Sequence, residues 1–253
     1  MAFDFPNSSN SKVSTGDSAS NSITGDITIE CWVKIDTRTG GQMPFVTKYK
    51  PSQSARSYLM SSAGADPNIF VRGVCCQVAS CATVAVDKTS ATSLGTTNVN
   101  HIAVVMDPTN TTETIYLNGV DDGGTTSGSG GGTADSTADF GVGDDDTNQF
   151  NLMDGQISEV RLWAEERSAA SLNQYRFKRL DANVITNLNT YWKMDVSGSQ
   201  TDWSGNSNTG TVGGSAAFVA GVFPISYPGG ARMSAGAEVV VSRQELILLM
   251  GVG

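Results

Sequence analysis

The chain of 253 residues holds one histidine, His101, and four cysteines. That scarcity argues against zinc: Cys75-Cys76-x4-Cys81 lacks the spacing of paired ligand knuckles, and His101 falls in a separate strand-like run. Charge is also sparse. Charged residues make up 16% of the chain, and 16 Lys+Arg against 25 Asp+Glu leave a formal net charge of -9. Such a balance implies no basic face for nucleic-acid phosphates. Nowhere is there an apolar run of the ~18 residues a membrane helix needs. Met1 is followed by Ala2-Phe3-Asp4-Phe5-Pro6, without the basic and apolar regions of a secretory signal, so the expectation is a chain used without the secretion pathway. No Gly-x-Ser-x-Gly elbow supports a serine nucleophile. The glycine-rich stretch 121–137 is followed by no Lys-Ser/Thr and no helix, which argues against a phosphate cradle and leaves a flexible loop.

What is abundant is turn-forming: 28 glycines, with many Ser, Thr and Asn. Between them run short segments of strand character. Ile27, Ile29, Cys31, Val33 and Ile35 alternate along one face of 27–35. Further strands are expected near 3–5, 43–48, 57–61, 68–75, 82–87, 140–142, 156–163 and 189–195, with a hairpin joining 101–107 to 113–118 through Asp107-Pro108-Thr109-Asn110. Ser168 is placed to cap a helix within Glu165–Leu180, with Leu172, Tyr175 and Leu180 at helical spacing and Glu165-Glu166 in its first turn, interacting with the dipole. Cys31, Cys75, Cys76 and Cys81 read as buried free thiols of a reducing compartment, with a Cys76–Cys81 bridge across a hairpin as the alternative.

The segment Gly155-Gln156-Ile157-Ser158-Glu159-Val160-Arg161-Leu162-Trp163, followed by the helix, resembles the last strand of a laminin-G-like jelly roll of the concanavalin A-like lectin/glucanase superfamily. The runs 27–35, Asn100–Asp107, Thr114–Gly119, Tyr191–Asp195 and Asp202–Gly210 repeat the resemblance in order. It implies an all-β antiparallel sandwich over 1–220, with one short helix, and a C-terminal extension over 221–253. Glucanase members carry Glu-x-Asp-x-Glu so that two carboxylates flank one glycosidic bond. That motif is missing here, and Glu159 stands alone in its strand. His101 could act as a general base but reads as a packing residue. No catalytic role is expected.

Three groups of residues stand out. Asp144, Asp145 and Asp146, near Asn148, Asn151 and Asp154, crowd hard oxygen ligands into the place of the calcium loop of pentraxin-like relatives; the alternatives are bound Ca²⁺ and a solvated acidic turn. Trp203 and Tyr49 are the first candidates for stacking on a sugar, against packing within the fold. Leu246, Ile247, Leu248, Leu249 and Met250 are too apolar for an arm left in water. That arm would dock on a neighbouring subunit or fold back on its own sandwich. The expected function is a structural, non-enzymatic virion protein of a bacteriophage-like particle: a capsid decoration, cement or fibre subunit. Its partners would be capsid subunits or copies of itself, with glycans at the particle surface, and its place the virion, assembled in host cytoplasm. The alternative is a carbohydrate-binding lectin-like module outside any virion, in an extracellular setting.

Overall fold

Alternation makes the strands, and a computed structural model shows how they pair; it describes residues 1–8, 11–37, 41–64, 68–143, 152–180, 185–221 and 223–225. In chain order the strands are β1 (Ala2–Pro6), β2 (Lys12–Thr15), β3 (Ile27–Ile35), β4 (Pro44–Lys50), β5 (Ala55–Ala63), β6 (Phe70–Cys76), β7 (Val84–Thr89) and β8 (Val99–Asp107). There follow β9 (Thr112–Leu117), β10 (Val120–Asp121), β11 (Thr126–Ser127), β12 (Phe140–Val142), β13 (Asp154–Trp163), the helix α1 (Ala169–Tyr175), β14 (Leu188–Trp192), β15 (Thr211–Gly213) and β16 (Ala217–Val219).

Every pairing between these strands is antiparallel. Two sheets result. The first runs β10-β9-β8-β3-β13-β1-β16, with β14 also on β13; the second runs β11-β7-β6-β5-β4-β12-β2-β15. Between them lies the core. Ile29, Cys31, Val104, Val160 and Leu162 are fully buried there, as their alternation predicts, and meet Phe45, Tyr58, Met60, Val71 and Phe140 of the second sheet. This is the expected all-β sandwich.

Strand β13 organises the first sheet. Its first half pairs with β1 and its second half with β14, while β3 runs along its other edge. The change of partner falls at a bulge between Ser158 and Arg161, where Glu159 adopts φ +52. A bulge adds a residue and re-aims its side chain, so Glu159 and Arg161 both face away from the core.

Several expectations need correction. The helix covers only Ala169–Tyr175. Ser168 caps it, its Oγ accepting from the Ser171 N–H at 3.2 Å, but Glu165 and Glu166 precede the cap and have no part in the first turn. At its far end the carbonyls of Tyr175, Arg176 and Lys178 accept from Arg161 and the Trp32 indole. Side chains of the sheet therefore take acceptors that another helical turn would have used.

The glycine-rich stretch is no loose loop either. Its β11 pairs with β7, and the N–H groups of Ser129 and Gly130 donate to Val84 O and Ala85 O, each at 3.0 Å. Gly128 sits at φ +140, and a Cβ there would come 2.2 Å from Ala85 O. Only bare backbone allows that approach.

Cys31 and Cys75 are buried free thiols, but Cys76 and Cys81 form a disulfide across the turn between β6 and β7. Alternation on β6 turns Cys75 into the core and Cys76 outward, where Cys81, at φ +54, returns to a Cα–Cα distance of 4.9 Å. Five short strands were not foreseen: β2, β10, β11, β15 and β16. Beyond Gly221, Phe223 and Ile225 pack against Ala2 and Trp32 on the outer face of the first sheet. Leu246, Ile247, Leu248, Leu249 and Met250 lie outside the described residues.

Candidate functional site

The outer face of the second sheet carries an open cleft. Along β6, Val71 and Cys75 turn into the core, so Phe70, Arg72 and Val74 face outward. The register sets Val74 opposite Asp87 and Arg72 opposite Thr89. Arg72 and Asp87 are thus diagonal neighbours on one face. They meet at two points, with Nε donating to Oδ1 at 2.8 Å and Nη2 to Oδ2 at 2.5 Å. Both side chains stay partly open, at 29% and 23% exposure. The hydrogen bonds to Asp87 come first among the causes that raise the Arg72 pKa above its already high ordinary value.

This pair floors a cleft of about 630 Å³, walled by Lys88, Thr89, Thr125 and Ser127 on one side and by Gly41, Gln42, Ala63 and Gly64 on the other. Phe70, half-buried, packs so tightly on Gly64 that a Cβ there would lie 2.9 Å from its ring; Gly64 adopts φ +85. Behind the floor, Glu113 of β9 presses on the inner side of Gly73. Its carboxyl oxygens are buried without a hydrogen-bond partner, and burial, followed by repulsion from Asp87, pushes its pKa well above the carboxylate range. Lys88 lies almost wholly buried beside it, with Nζ donating to Glu113 O at 2.8 Å.

A second cluster is richer in titratable groups but sealed. On the outer face of the first sheet, Glu30 accepts from His101 Nε2 at 3.0 Å, Arg161 Nη1 at 3.4 Å and Trp163 Nε1 at 3.0 Å. Glu159 accepts from Arg161 Nη2 at 3.0 Å and from the Tyr191 hydroxyl at 2.5 Å. Each of Glu30, His101, Glu159 and Arg161 is only 1% exposed. Burial alone would raise Glu30, yet Arg161, His101 and Trp163 together outweigh it and hold the group at about 2. Burial lowers His101. The two carboxylates thus come from different strands, Glu30 from β3 and Glu159 from β13, and His101 packs edge-on to Trp32 with ring centroids 5.3 Å apart.

The two expected sugar-stacking residues belong to different sheets. Tyr49, on β4, is half-buried in an outer-face cluster with Leu59, Val74 and Cys76, and the Arg56 guanidinium lies 5.5 Å from its ring centroid. Trp203 is 43% exposed and hangs from the first sheet, its N–H donating to Tyr191 O at 2.9 Å. Asp202 stiffens that turn by accepting from the N–H groups of Tyr191, Ser204 and Asn208. The Lys193 ammonium sits 3.3 Å from the Trp203 ring centroid. Trp32, Trp163 and Trp192 are buried. Asp144, Asp145 and Asp146 lie outside the described residues, and among the described residues no cluster of three His, Cys, Asp or Glu is gathered for a metal ion. Arg72 and Asp87 were missed because fifteen positions separate them. Alternation gave no signal either, because Arg72 shares its face of 70–76 with Phe70, Val74 and Cys76.

The profile of the family described as "Concanavalin A-like lectin/glucanases superfamily" matches residues 7–173. No curated protein matches the chain. Among solved structures, a candidate carbohydrate-binding protein from Bacteroides ovatus superposes with a TM-score of 0.64 at 17% identity, covering 89% of this chain and 61% of that one. The binding domain of botulinum neurotoxin serotype D/C gives 0.50 at 13%, covering 68% and 42%. A heptameric SAP-like pentraxin from Limulus polyphemus gives 0.49 at 14%, covering 68% and 79%. At these identities the likeness is one of fold, and the chain spans about three fifths of the Bacteroides ovatus protein.

Proposed function

This chain belongs to the concanavalin A-like lectin/glucanases superfamily, and from that premise we propose that it is a carbohydrate-binding module acting without catalysis. The observation that carries the reading is the partly open Arg72–Asp87 pair on the floor of the outer-face cleft. Held together, the two groups still offer N–H donors and carboxylate lone pairs side by side, the combination that neighbouring sugar hydroxyls require. The pair is pre-set by two adjacent strands, so little ordering accompanies binding. The fold neighbour described as carbohydrate-binding supports the same reading.

Titration of oligosaccharides by calorimetry tests it. Arg72→Ala removes the donor set at a half-open position, so the variant should melt within a few degrees of the parent and bind at least about tenfold more weakly. Undiminished binding by that variant would move the site elsewhere, with Trp203 as the next position to substitute.

The Cys76–Cys81 bridge supports an oxidising, extracellular setting over cytosol. Nothing described favours the virion role over glycan binding, since the apolar segment that motivated it lies outside the described residues. Calcium at Asp144–Asp146 stands as a proposal for melts compared in calcium and in chelator.

A further inference from the structure

We infer that the cleft takes a neutral, diol-bearing sugar and rejects uronate and sulfated glycans; this rests on the glycan-binding reading above. Among the described lining residues only three are charged, and each cation has a committed partner. Arg72 meets both oxygens of Asp87. Lys88 is 7% exposed and gives its ammonium to Glu113 O at 2.8 Å. An acidic sugar accepting from the remaining Arg72 N–H groups would set its own anion beside the Asp87 carboxylate, where like charges repel. A hydroxyl pair meets no such obstacle. It donates to Asp87 and accepts from Arg72 without separating them, while the hydroxyls of Thr89 and Thr125 can take either role and Ser127, whose Oγ donates to Asp87 O at 3.4 Å, can accept.

The whole molecule points the same way. A net charge of -9 repels a polyanionic glycan before contact.

The test is calorimetric titration of the full chain with neutral oligosaccharides and with uronate-containing and sulfated ones, at low salt and at about 0.5 M salt. The expected result is binding of the neutral set, changing by less than about twofold with salt. Asp87→Asn, checked for an unchanged melt, should bind neutral ligands about tenfold more weakly and gain measurable affinity for uronates as Arg72 is released. Preference of the parent for acidic glycans, with binding that collapses at high salt, would overturn this inference and leave the glycan-binding reading standing. Binding of no glycan at all would overturn both. An Asp87→Asn variant whose selectivity stays that of the parent would show that the pair does not set the class.

Discussion

Arg161 Nη2 and Glu159 Oε2 meet at 3.0 Å although both side chains are 1% exposed, and the same guanidinium reaches Glu30 through Nη1 at 3.4 Å. One buried cation thus answers two buried carboxylates. Arg161→Met should destabilise the fold by about 3–5 kcal/mol, because Glu30 is left with only His101 and Trp163, and Glu159 with Tyr191 and the Arg179 Nε at 3.3 Å. Urea denaturation measures the change, and a loss under about 1 kcal/mol would mean that the network adds little to stability.

Acid should unfold the protein partly through Glu30. Its folded pKa is lowered to about 2 from the ordinary 4.5. A depressed carboxylate stabilises above its unfolded pKa, and that contribution disappears as pH falls from about 4.5 towards 2. Roughly 3 kcal/mol is at stake. Glu30→Gln should start from a lower Tm near neutrality and show a flatter decline between pH 5 and 2, read by melts across that range.

Glu113 has the opposite sign. Its folded pKa is raised, by burial first and by Asp87 next, against the pull of Lys88 and Arg72. Stability from this group is complete below its unfolded pKa and is lost as pH rises through the folded value. Glu113→Met removes a carboxyl whose two oxygens have no partner, so it should stabilise by about 1–3 kcal/mol, and by more at pH 9 than at pH 6. A variant that loses stability at both would reveal a role for the carboxyl in the fold.

The Cys76–Cys81 bridge closes a short loop, with a sequence separation of 5. Chain-entropy arguments give it about 2 kcal/mol. Reductant should lower the Tm of the parent and leave a Cys76→Ala/Cys81→Ala double variant unmoved. An equal response of both would point to a different reducible group.

Much of the sandwich was legible before any coordinates. Ile27–Ile35, Val99–Asp107 and Asp154–Trp163 alternate over nine or ten residues, long enough for one apolar face to specify which side is inside. Burial acts on each residue where it stands in the chain, so the pattern is local information. The capping serine and the packing role of His101 were readable for the same reason.

What pairing across the molecule decides was not readable. The strands β2, β10, β11, β15 and β16 span two to four residues, and backbone hydrogen bonds to a neighbour define them more than any side-chain pattern. Helix α1 ends at Tyr175, where Arg161 and Trp32, brought over from β13 and β3, take the carbonyls of Tyr175, Arg176 and Lys178. Cys76 meets Cys81 because a turn residue at positive φ brings the chain back. The candidate site belongs with these. Arg72 and Asp87 become a pair only through the register of β6 on β7, and only tertiary structure decides a register. The sequence by itself determined which residues seek the interior, because hydrophobicity travels with each residue; the fold alone determined which polar groups meet outside it, because a pair contact is a property of two segments at once.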